Sequence, residues 1–221
     1  IDPTVTSICQ NTLTKFEKFE QITIPNSVTF IGPQAFKGFI CLKQIKIPSS
    51  VNKIDELAFF ECSQLHQITI NPFKTRIQQN SFQNSSISRL IFDDSVININ
   101  YFNINYFGKI SKLTIPSSVT SIGPNSFRGC CTLKHITIPS TVAEIGENAF
   151  NGCLKLEMIT IDPYKTKIES NTFQNCYLLK QLTFDSKINE IVSFDFQKFG
   201  QLTKIIIPDS VYQIEQGAFY K

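Results

Sequence analysis

The chain has 221 residues, of which 42% are hydrophobic, and its formal net charge is only +3 at pH 7. So small a charge does not predict nucleic-acid binding, and no run of 18 apolar residues occurs that would predict a membrane span. The opening IDPTVTSICQ lacks the basic and apolar regions of a signal peptide.

Short strands are predicted along the whole chain, because Val, Ile and Phe favour strands and no long stretch has apolar residues at helical spacing. In chain order, the sequence predicts a strand at 21–25, a second extended piece at 28–31 and a brief helical or 3₁₀ turn opened by Pro33. Proline ends the first strand because it cannot donate to the ladder. The same order of elements then recurs to the end of the chain.

The recurrence has a period of 23 residues, shortened once to 22. We number positions within a repeat from 0, and repeats 1 to 9 begin at Phe19, Leu42, Leu65, Ile87, Ile110, Leu133, Leu156, Leu179 and Leu202. Position 12 is always isoleucine: Ile8, Ile31, Ile54, Ile77, Ile99, Ile122, Ile145, Ile168, Ile191 and Ile214. Position 17 is Phe in eight of ten cases, with Leu13 and Ile104 as exceptions. The columns predict stacked repeats that bury equivalent side chains on one another, since one repeat alone has too few apolar residues for a core.

The pattern IxIPxSVxxIGxxAFxgC resembles a leucine-rich repeat and, more narrowly, the 23-residue BspA-like class, also called the Treponema pallidum type. The resemblance covers the whole chain. It implies an α/β fold, namely a right-handed leucine-rich-repeat solenoid with a parallel β-sheet on the concave face and short strands and 3₁₀ or helical turns on the convex side. Residues 1–221 would form a single solenoid domain of nine to ten units.

One departure from common leucine-rich repeats is the missing asparagine at position 8. Hydroxyl residues stand there instead: Ser27, Ser50, Ser95, Ser118, Thr141 and Ser210. We expect their hydroxyls to hydrogen-bond main-chain groups of the turn. Neither end of the chain has an atypical polar cap, which favours a fragment of a longer array, although irregular end repeats would also suffice.

A longer period overlies the short one. Repeats 3 and 7 share a shifted proline, an aromatic residue at position 8 and a lysine in place of valine at position 9, and repeats 4 and 8 also resemble each other. We infer duplication of a four-repeat block of about 91 residues. The pairs Phe73/Lys74 and Tyr164/Lys165 are either inherited without function or two equivalent contact points, roughly 20 Å apart at one strand spacing per repeat.

Catalytic chemistry is not indicated, because no nucleotide-binding, nucleophile-elbow or zinc-protease motif occurs. The two histidines, His66 and His135, lie three repeats apart, or roughly 14 Å, too far to share a metal ion. Four of the seven cysteines fall at position 20, where we expect buried thiols rather than disulfides. The sequence therefore predicts neither an enzyme nor a cofactor or metal site.

Positions 1, 2 and 4 face outward from the predicted sheet, and in leucine-rich repeats the concave side usually binds the partner. These positions carry seven cations and two anions. The candidate partner-binding residues here are Lys43, Gln44, Lys46, Gln67, Arg89, Lys112, Lys134, His135, Lys180 and Lys204. Threonine, lysine and glutamine also simply suit an exposed sheet, so a structural explanation stays open beside a mildly basic groove for an acidic protein or glycan.

Two functional interpretations follow. The resemblance implies a non-enzymatic interaction module on the cell surface or secreted, with an adhesin-type role toward host or extracellular-matrix proteins. The alternative is an intracellular adaptor or regulator, which the thiol-rich position 20 favours. The sequence does not set the oligomeric state.

Overall fold

The computed structural model describes residues 1–10, 12–13, 18–101, 103–192, 195–200 and 202–219. The chain forms two compact units. The N-terminal unit comprises residues 1–96 and 103–110, and the C-terminal unit comprises residues 97–102 and 111–221. That residues 1–221 form a single domain remains a prediction.

The N-terminal unit contains two columns of parallel strands. Its strands are β1 (Ser7–Ile8), β2 (Gln21–Thr23), β3 (Phe30–Ile31), β4 (Gln44–Lys46), β5 (Lys53–Ile54), β6 (Gln67–Ile70), β7 (Arg76–Ile77) and β8 (Arg89–Phe92). The longer strands β2, β4, β6 and β8 pair one repeat apart, and the two-residue strands β1, β3, β5 and β7 do the same. Each strand therefore pairs with the equivalent strand of the neighbouring repeat.

The C-terminal unit repeats this arrangement. Its strands are β9 (Asn98–Ile99), β10 (Lys112–Thr114), β11 (Ser121–Ile122), β12 (His135–Thr137), β13 (Glu144–Ile145), β14 (Met158–Ile161), β15 (Lys167–Ile168), β16 (Gln181–Phe184), β17 (Glu190–Ile191), β18 (Lys204–Ile206) and β19 (Gln213–Ile214). The longer strands β10, β12, β14, β16 and β18 pair in parallel register, as do the short strands β9, β11, β13 and β15, and β17 with β19. The predicted parallel-sheet solenoid is thus confirmed within each unit.

The core of each unit is made from the predicted columns. Positions 3 and 5 are buried in repeats 2 to 8. In the position-12 column, Ile54, Ile122 and Ile191 are at most 1% exposed. Ile77 is half-buried, and Ile214 in the last repeat is 51% exposed. Burial of nearly the whole isoleucine column confirms the register read from the sequence.

Phenylalanine rings stack through both cores at centroid distances of 4.7 to 5.4 Å. The rings are Phe36, Phe59, Phe82 and Phe107 in the N-terminal unit, and Phe127, Phe150, Phe173 and Phe199 in the C-terminal unit. In repeats 1–3 and 5–7 the ring comes from position 17, as predicted. In repeats 4 and 8 it comes from position 20.

Two 3₁₀ helices explain the shift. They span Ile104–Phe107 and Phe196–Phe199 and replace the regular turn of repeats 4 and 8. In each of these repeats the position-20 ring joins the stack. The prediction that Phe196 seals its repeat from position 17 is therefore wrong: Phe196 is half-buried and stacks on Phe219, while Phe199 packs on Phe173.

Four of the six predicted hydroxyls at position 8 donate to main-chain carbonyls, although the acceptor lies in the preceding repeat rather than in their own turn. The hydroxyl of Ser95 instead accepts from Asn71 Nδ2 at 2.9 Å. Ser50 Oγ donates to Val28 O at 2.8 Å. The hydroxyls of Ser27, Thr141 and Ser210 likewise donate to a carbonyl of the repeat that precedes each of them. Repeats 3 and 7 have an aromatic residue at position 8. There a threonine at position 10 makes the equivalent bond at 2.8 Å, from Thr75 and Thr166. The bond is preserved by moving the hydroxyl along the chain.

The cysteines at position 20 pack inside the turn. The thiols of Cys62, Cys153 and Cys176 each donate to the position-17 carbonyl of the preceding repeat, at 3.1, 3.3 and 3.1 Å. Burial raises the pKa of Cys62 to about 12. The contact with the Cys130 thiol, together with burial, raises the pKa of Cys153 as well. A thiolate is therefore disfavoured in this column, which suits packing rather than reactivity.

Candidate protein-interaction face

We call the outward side chains of positions 1, 2 and 4 on the longer strands the strand face. They point away from the core because successive residues of a strand alternate sides. His135–Thr137, for example, shows an exposed, a buried and an exposed residue. The parallel register places equivalent residues of successive repeats beside one another, so within each unit the face consists of columns of like positions.

In the N-terminal unit, two of the predicted cations are paired. Lys43 Nζ lies 2.9 Å from Glu20 Oε1 at the exposed surface. Lys46 Nζ lies 3.4 Å from Asp93 Oδ2, and the Asp93 side chain is only 12% exposed. Asp93 follows β8 at position 6, two repeats beyond Lys46. These contacts lower the net positive charge that this part of the strand face offers to a partner.

Asp93 was not among the sequence-based candidates. Burial raises the pKa of its carboxyl, but the hydrogen bonds from Ser95 and Lys46 outweigh this effect, and the net pKa is lowered. Its carboxylate also accepts the Ser95 N–H at 3.0 Å. A sequence signal existed, namely an aspartate directly after a strand, but the strand-face prediction included only positions 1, 2 and 4.

The remaining predicted residues of this unit are polar and partly covered. Gln67 Nε2 donates to Gln44 Oε1 at 3.1 Å, which links neighbouring strands across the face. Arg89 is half-buried, and its Nε is a buried donor with no hydrogen-bond partner within the described part of the chain.

In the C-terminal unit the predicted cations are exposed. Within the described ranges, no ion pair involves Lys112, Lys134, Lys180 or Lys204, and all four side chains are exposed. His135 Nε2 lies 3.9 Å from Glu157 Oε2, with both side chains about half exposed. Of the two strand faces, this one keeps more of its positive charge available.

The pair Phe73/Lys74 lies beyond the end of β6. Phe73 is half-buried and packs edge-on against Phe92, with ring centroids 5.8 Å apart. Its N–H donates to Asn71 Oδ1 at 3.1 Å, so the turn is held by the buried Asn71 side chain. Lys74 is exposed.

The pair Tyr164/Lys165 occupies the equivalent place after β14. Tyr164 is 36% exposed, and its hydroxyl both donates to Val192 O at 3.0 Å and accepts from Val192 N at 3.1 Å. Burial of the ring raises the pKa of Tyr164. Lys165 Nζ lies 3.6 Å from Asp162 Oδ2. The aromatic member of each pair thus also supports the neighbouring repeat.

Other chemistry was searched for in the described residues. No group of three His, Cys, Asp or Glu residues there is arranged to hold a metal ion. Within the same residues, no helix has the length and apolar character needed to cross a membrane.

Each unit has the short-stranded, parallel architecture of leucine-rich-repeat proteins. The family model of the BspA type leucine rich repeat region matches the chain in six copies, over residues 1–105 and 97–221. The chain therefore belongs to the BspA type leucine-rich-repeat family, as the repeat pattern predicted.

Several solved structures are similar to the chain. A leucine-rich repeat protein from Bacteroides ovatus is 25% identical over 99% of this chain and 56% of its own, with a TM-score of 0.47. A leucine rich cell surface protein from Faecalibacterium prausnitzii is 22% identical over 97% of this chain and 74% of its own, with a TM-score of 0.40. A leucine rich repeat protein from Treponema pallidum is 18% identical over 80% of this chain and 75% of its own, and its TM-score is also 0.40.

The chain spans little more than half of the Bacteroides ovatus protein. None of the curated proteins matches it.

Proposed function

We propose that the chain is a non-enzymatic protein-interaction module that binds an acidic protein partner through the strand face of its C-terminal unit. The observation that carries the proposal is the set of four exposed lysines on that face, which form no ion pair with any residue that the structure describes. The lysines lie in repeats 5, 6, 8 and 9, and repeat 7 contributes Glu157 in their place. They give this strand face a net positive charge, which attracts acidic surfaces and speeds encounter.

The finer role is that of a surface or secreted adhesin toward host or extracellular-matrix proteins. Family membership supports this role, and so does the printed description of the Faecalibacterium prausnitzii relative as a cell surface protein. The pairs Phe73/Lys74 and Tyr164/Lys165 are proposed as secondary contact points, since one lysine in each pair is exposed beside an aromatic ring.

The test is charge reversal on the strand face. The triple variant Lys112→Glu, Lys134→Glu, Lys180→Glu is compared with wild type for binding to a panel of purified extracellular-matrix proteins. We expect about tenfold weaker binding or more, a steep salt dependence for wild type, and a nearly unchanged melting temperature because the three side chains are exposed.

The matched control is the triple variant Lys37→Glu, Arg128→Glu, Lys155→Glu, which makes the same charge change at exposed sites away from the longer strands. It should bind like wild type. If both triples lose binding equally, net charge rather than the strand face is responsible, and if neither does, the proposed interface is wrong.

The intracellular adaptor is the second candidate, favoured by seven free cysteines in one chain. Surface labelling of intact cells that produce the full-length protein separates the two. Labelling that requires cell lysis would contradict the adhesin role while leaving the strand-face proposal open to the charge-reversal test.

A further inference from the structure

A ladder of main-chain hydrogen bonds runs along the turn side of the regular repeats. The N–H groups at positions 17 and 19 donate to the carbonyls at positions 16 and 18 of the next repeat, and in repeats 1, 5 and 6 the N–H at position 15 also donates to the carbonyl at position 14. Phe36 N donates to Ala58 O at 2.7 Å and Gly38 N to Phe60 O at 2.9 Å. In the C-terminal unit, Phe150 N and Gly152 N make the same bonds at 2.9 Å. Main-chain carbonyls thus normally satisfy this row of donors.

The ladder stops after repeats 3 and 7. Within the described residues, no hydrogen bond is formed by the N–H groups of Asn80, Phe82 and Asn84, or by those of Asn171, Phe173 and Asn175. In the following repeat, the 3₁₀ helix Ile104–Phe107 or Phe196–Phe199 takes the place of the regular turn that supplies these carbonyls elsewhere. Asn80 and Asn84 keep φ values of 64° and 60°, close to the 57° of Asn148 in a regular repeat, so the donor segment itself is unchanged.

Each interrupted ladder opens into a hollow. In the N-terminal unit the hollow has a volume of about 890 Å³ and is lined by side-chain amides with Tyr106 and Lys109. These amides belong to Gln79, Asn80, Gln83, Asn84 and Asn103.

In the C-terminal unit the corresponding hollow measures about 390 Å³ and is lined by four amides with Tyr177 and Lys198. The amides are Asn171, Gln174, Asn175 and Gln197. Three amides are at equivalent positions in both hollows, namely Asn80 and Asn171, Gln83 and Gln174, and Asn84 and Asn175, whereas the tyrosine and the lysine come from different positions. No carboxylate occurs among the described residues that line either hollow.

The chemistry of the hollows selects a ligand rich in acceptors and hydroxyl groups. A carboxamide offers donors and an acceptor in one plane, which matches neighbouring hydroxyls of a sugar ring, and an exposed tyrosine offers a flat apolar surface with a polar tip. The open N–H row and a lysine favour a carboxylate on that ligand. A peptide would need exposed apolar pockets for its side chains, but the lining residues Phe82 and Ile87 are at most 3% exposed.

We propose that the two hollows are binding sites for acidic oligosaccharides. The sugar carboxylates accept hydrogen bonds from the open N–H row and pair with the lysine, while the amides hold the hydroxyls and the tyrosine ring packs on a sugar face. Except for Ser88 at position 1, the lining residues of the two hollows lie outside the strand face. The N-terminal hollow binds more tightly, because Lys198 in the other hollow already donates to Ile168 O at 3.1 Å.

The experiment is a titration of the ¹⁵N-labelled chain with hexagalacturonate, followed by the amide resonances of Asn80, Phe82, Asn84 and their three equivalents in the C-terminal unit. The neutral maltohexaose and the equally charged hexaglutamate serve as comparison probes. We expect hexagalacturonate to move these six amide protons downfield, with weaker effects from maltohexaose and little effect from hexaglutamate.

Two single variants test the lining. Lys109→Glu should weaken hexagalacturonate binding at the N-terminal hollow by about tenfold, and Tyr106→Ala by several-fold. Arg128→Glu, the same charge reversal on the turn of a regular repeat, should leave the affinity within about twofold of wild type, and all three should keep the wild-type melting temperature because these side chains are exposed.

Three results would overturn the proposal. One is the absence of shifts at ~10 mM hexagalacturonate, a concentration that reveals even weak sites. Another is equal binding of hexaglutamate, which would indicate an anion or peptide site without sugar recognition. The last is an equal loss of binding in Arg128→Glu, which would indicate attraction by overall charge. A failed strand-face test would leave all three measurements meaningful.

Discussion

Repeats 4 and 8, which we call the closing repeats, fill the core with an aromatic ring in a different way from the regular repeats. In regular repeats such as 5 and 6, the ring at position 17, Phe127 or Phe150, enters the core. In the closing repeats 4 and 8, a 3₁₀ helix brings in Phe107 or Phe199 from position 20 instead. Each layer therefore requires one ring but no fixed source for it. The turn can adopt a different conformation where the main-chain hydrogen bonds between successive turns are absent.

The largest effect tests what the two kinds of repeat share. Ile122 in a regular repeat and Ile191 in a closing repeat are equally buried. Aspartate at either place would bury a charge with no partner, so we expect a loss of about 4 kcal/mol or more in the free energy of unfolding. Urea denaturation followed by circular dichroism measures it.

Ile214 in the same column is the control, because it is 51% exposed. Ile214→Asp should cost less than about 1 kcal/mol. If Ile191→Asp were as mild as Ile214→Asp, the isoleucine column would not continue through closing repeats.

The next effect tests the source of the ring. Phe199→Ala should destabilise by about 3 to 5 kcal/mol, since it removes a ring that is 1% exposed from the stack. Phe196→Ala should cost about 1 kcal/mol, because that side chain is half-buried near the surface. Thermal and urea unfolding of both variants give the comparison, and the reverse order of stabilities would restore position 17 as the anchor.

The smallest effect separates the two closing repeats from each other. Asp93 and Asp185 both accept an N–H from two residues later, at 3.0 and 2.9 Å. Among the described residues, Asp93 also has a lysine partner, Lys46, and Asp185 has none. We expect Asp93→Asn to cost about 1 kcal/mol at pH 7 and Asp185→Asn about half of that.

The effect of Asp93 depends on pH in a defined direction. Its pKa is lowered in the folded protein, so its contribution to stability is full above the ordinary aspartate pKa of ~3.9 and is lost as the pH falls through the folded value. Unfolding curves of wild type and Asp93→Asn should therefore converge below about pH 4. A constant difference between them down to about pH 2 would show that the charge of Asp93 is not involved.

Much of the fold was predictable because stacked repeats force equivalent residues onto one another. The isoleucine column, the strand pairing one repeat apart and the participation of position-8 hydroxyls all follow from the spacing. Phe196 was mispredicted because a column suggests a fixed role, whereas a 3₁₀ turn can exchange positions 17 and 20. The Phe-Gly pairs at 107–108 and 199–200, which replace the usual position-20 cysteine, were the available signal.

The candidate sites were less predictable for two physical reasons. Lys46 at position 4 pairs with Asp93 at position 6 of a repeat two further along the chain. Counting the charges at positions 1, 2 and 4 alone does not include such a partner. The open N–H rows are main-chain groups, and every residue except proline has the same N–H whatever its side chain. At positions 17 and 19, the path of the following repeat decides whether these donors are satisfied.

The position-8 hydroxyls set an order in which the repeats complete their hydrogen bonds. Among the described residues, Val28 O accepts only from Ser50, which lies 22 positions later in the chain, and Val119 O only from Thr141. During synthesis on the ribosome, this carbonyl of a newly made repeat is therefore paired only after the next repeat has been made. Synthesis from the amino end supplies these donors in repeat order, so each repeat gains its remaining hydrogen bond when the next repeat folds onto it.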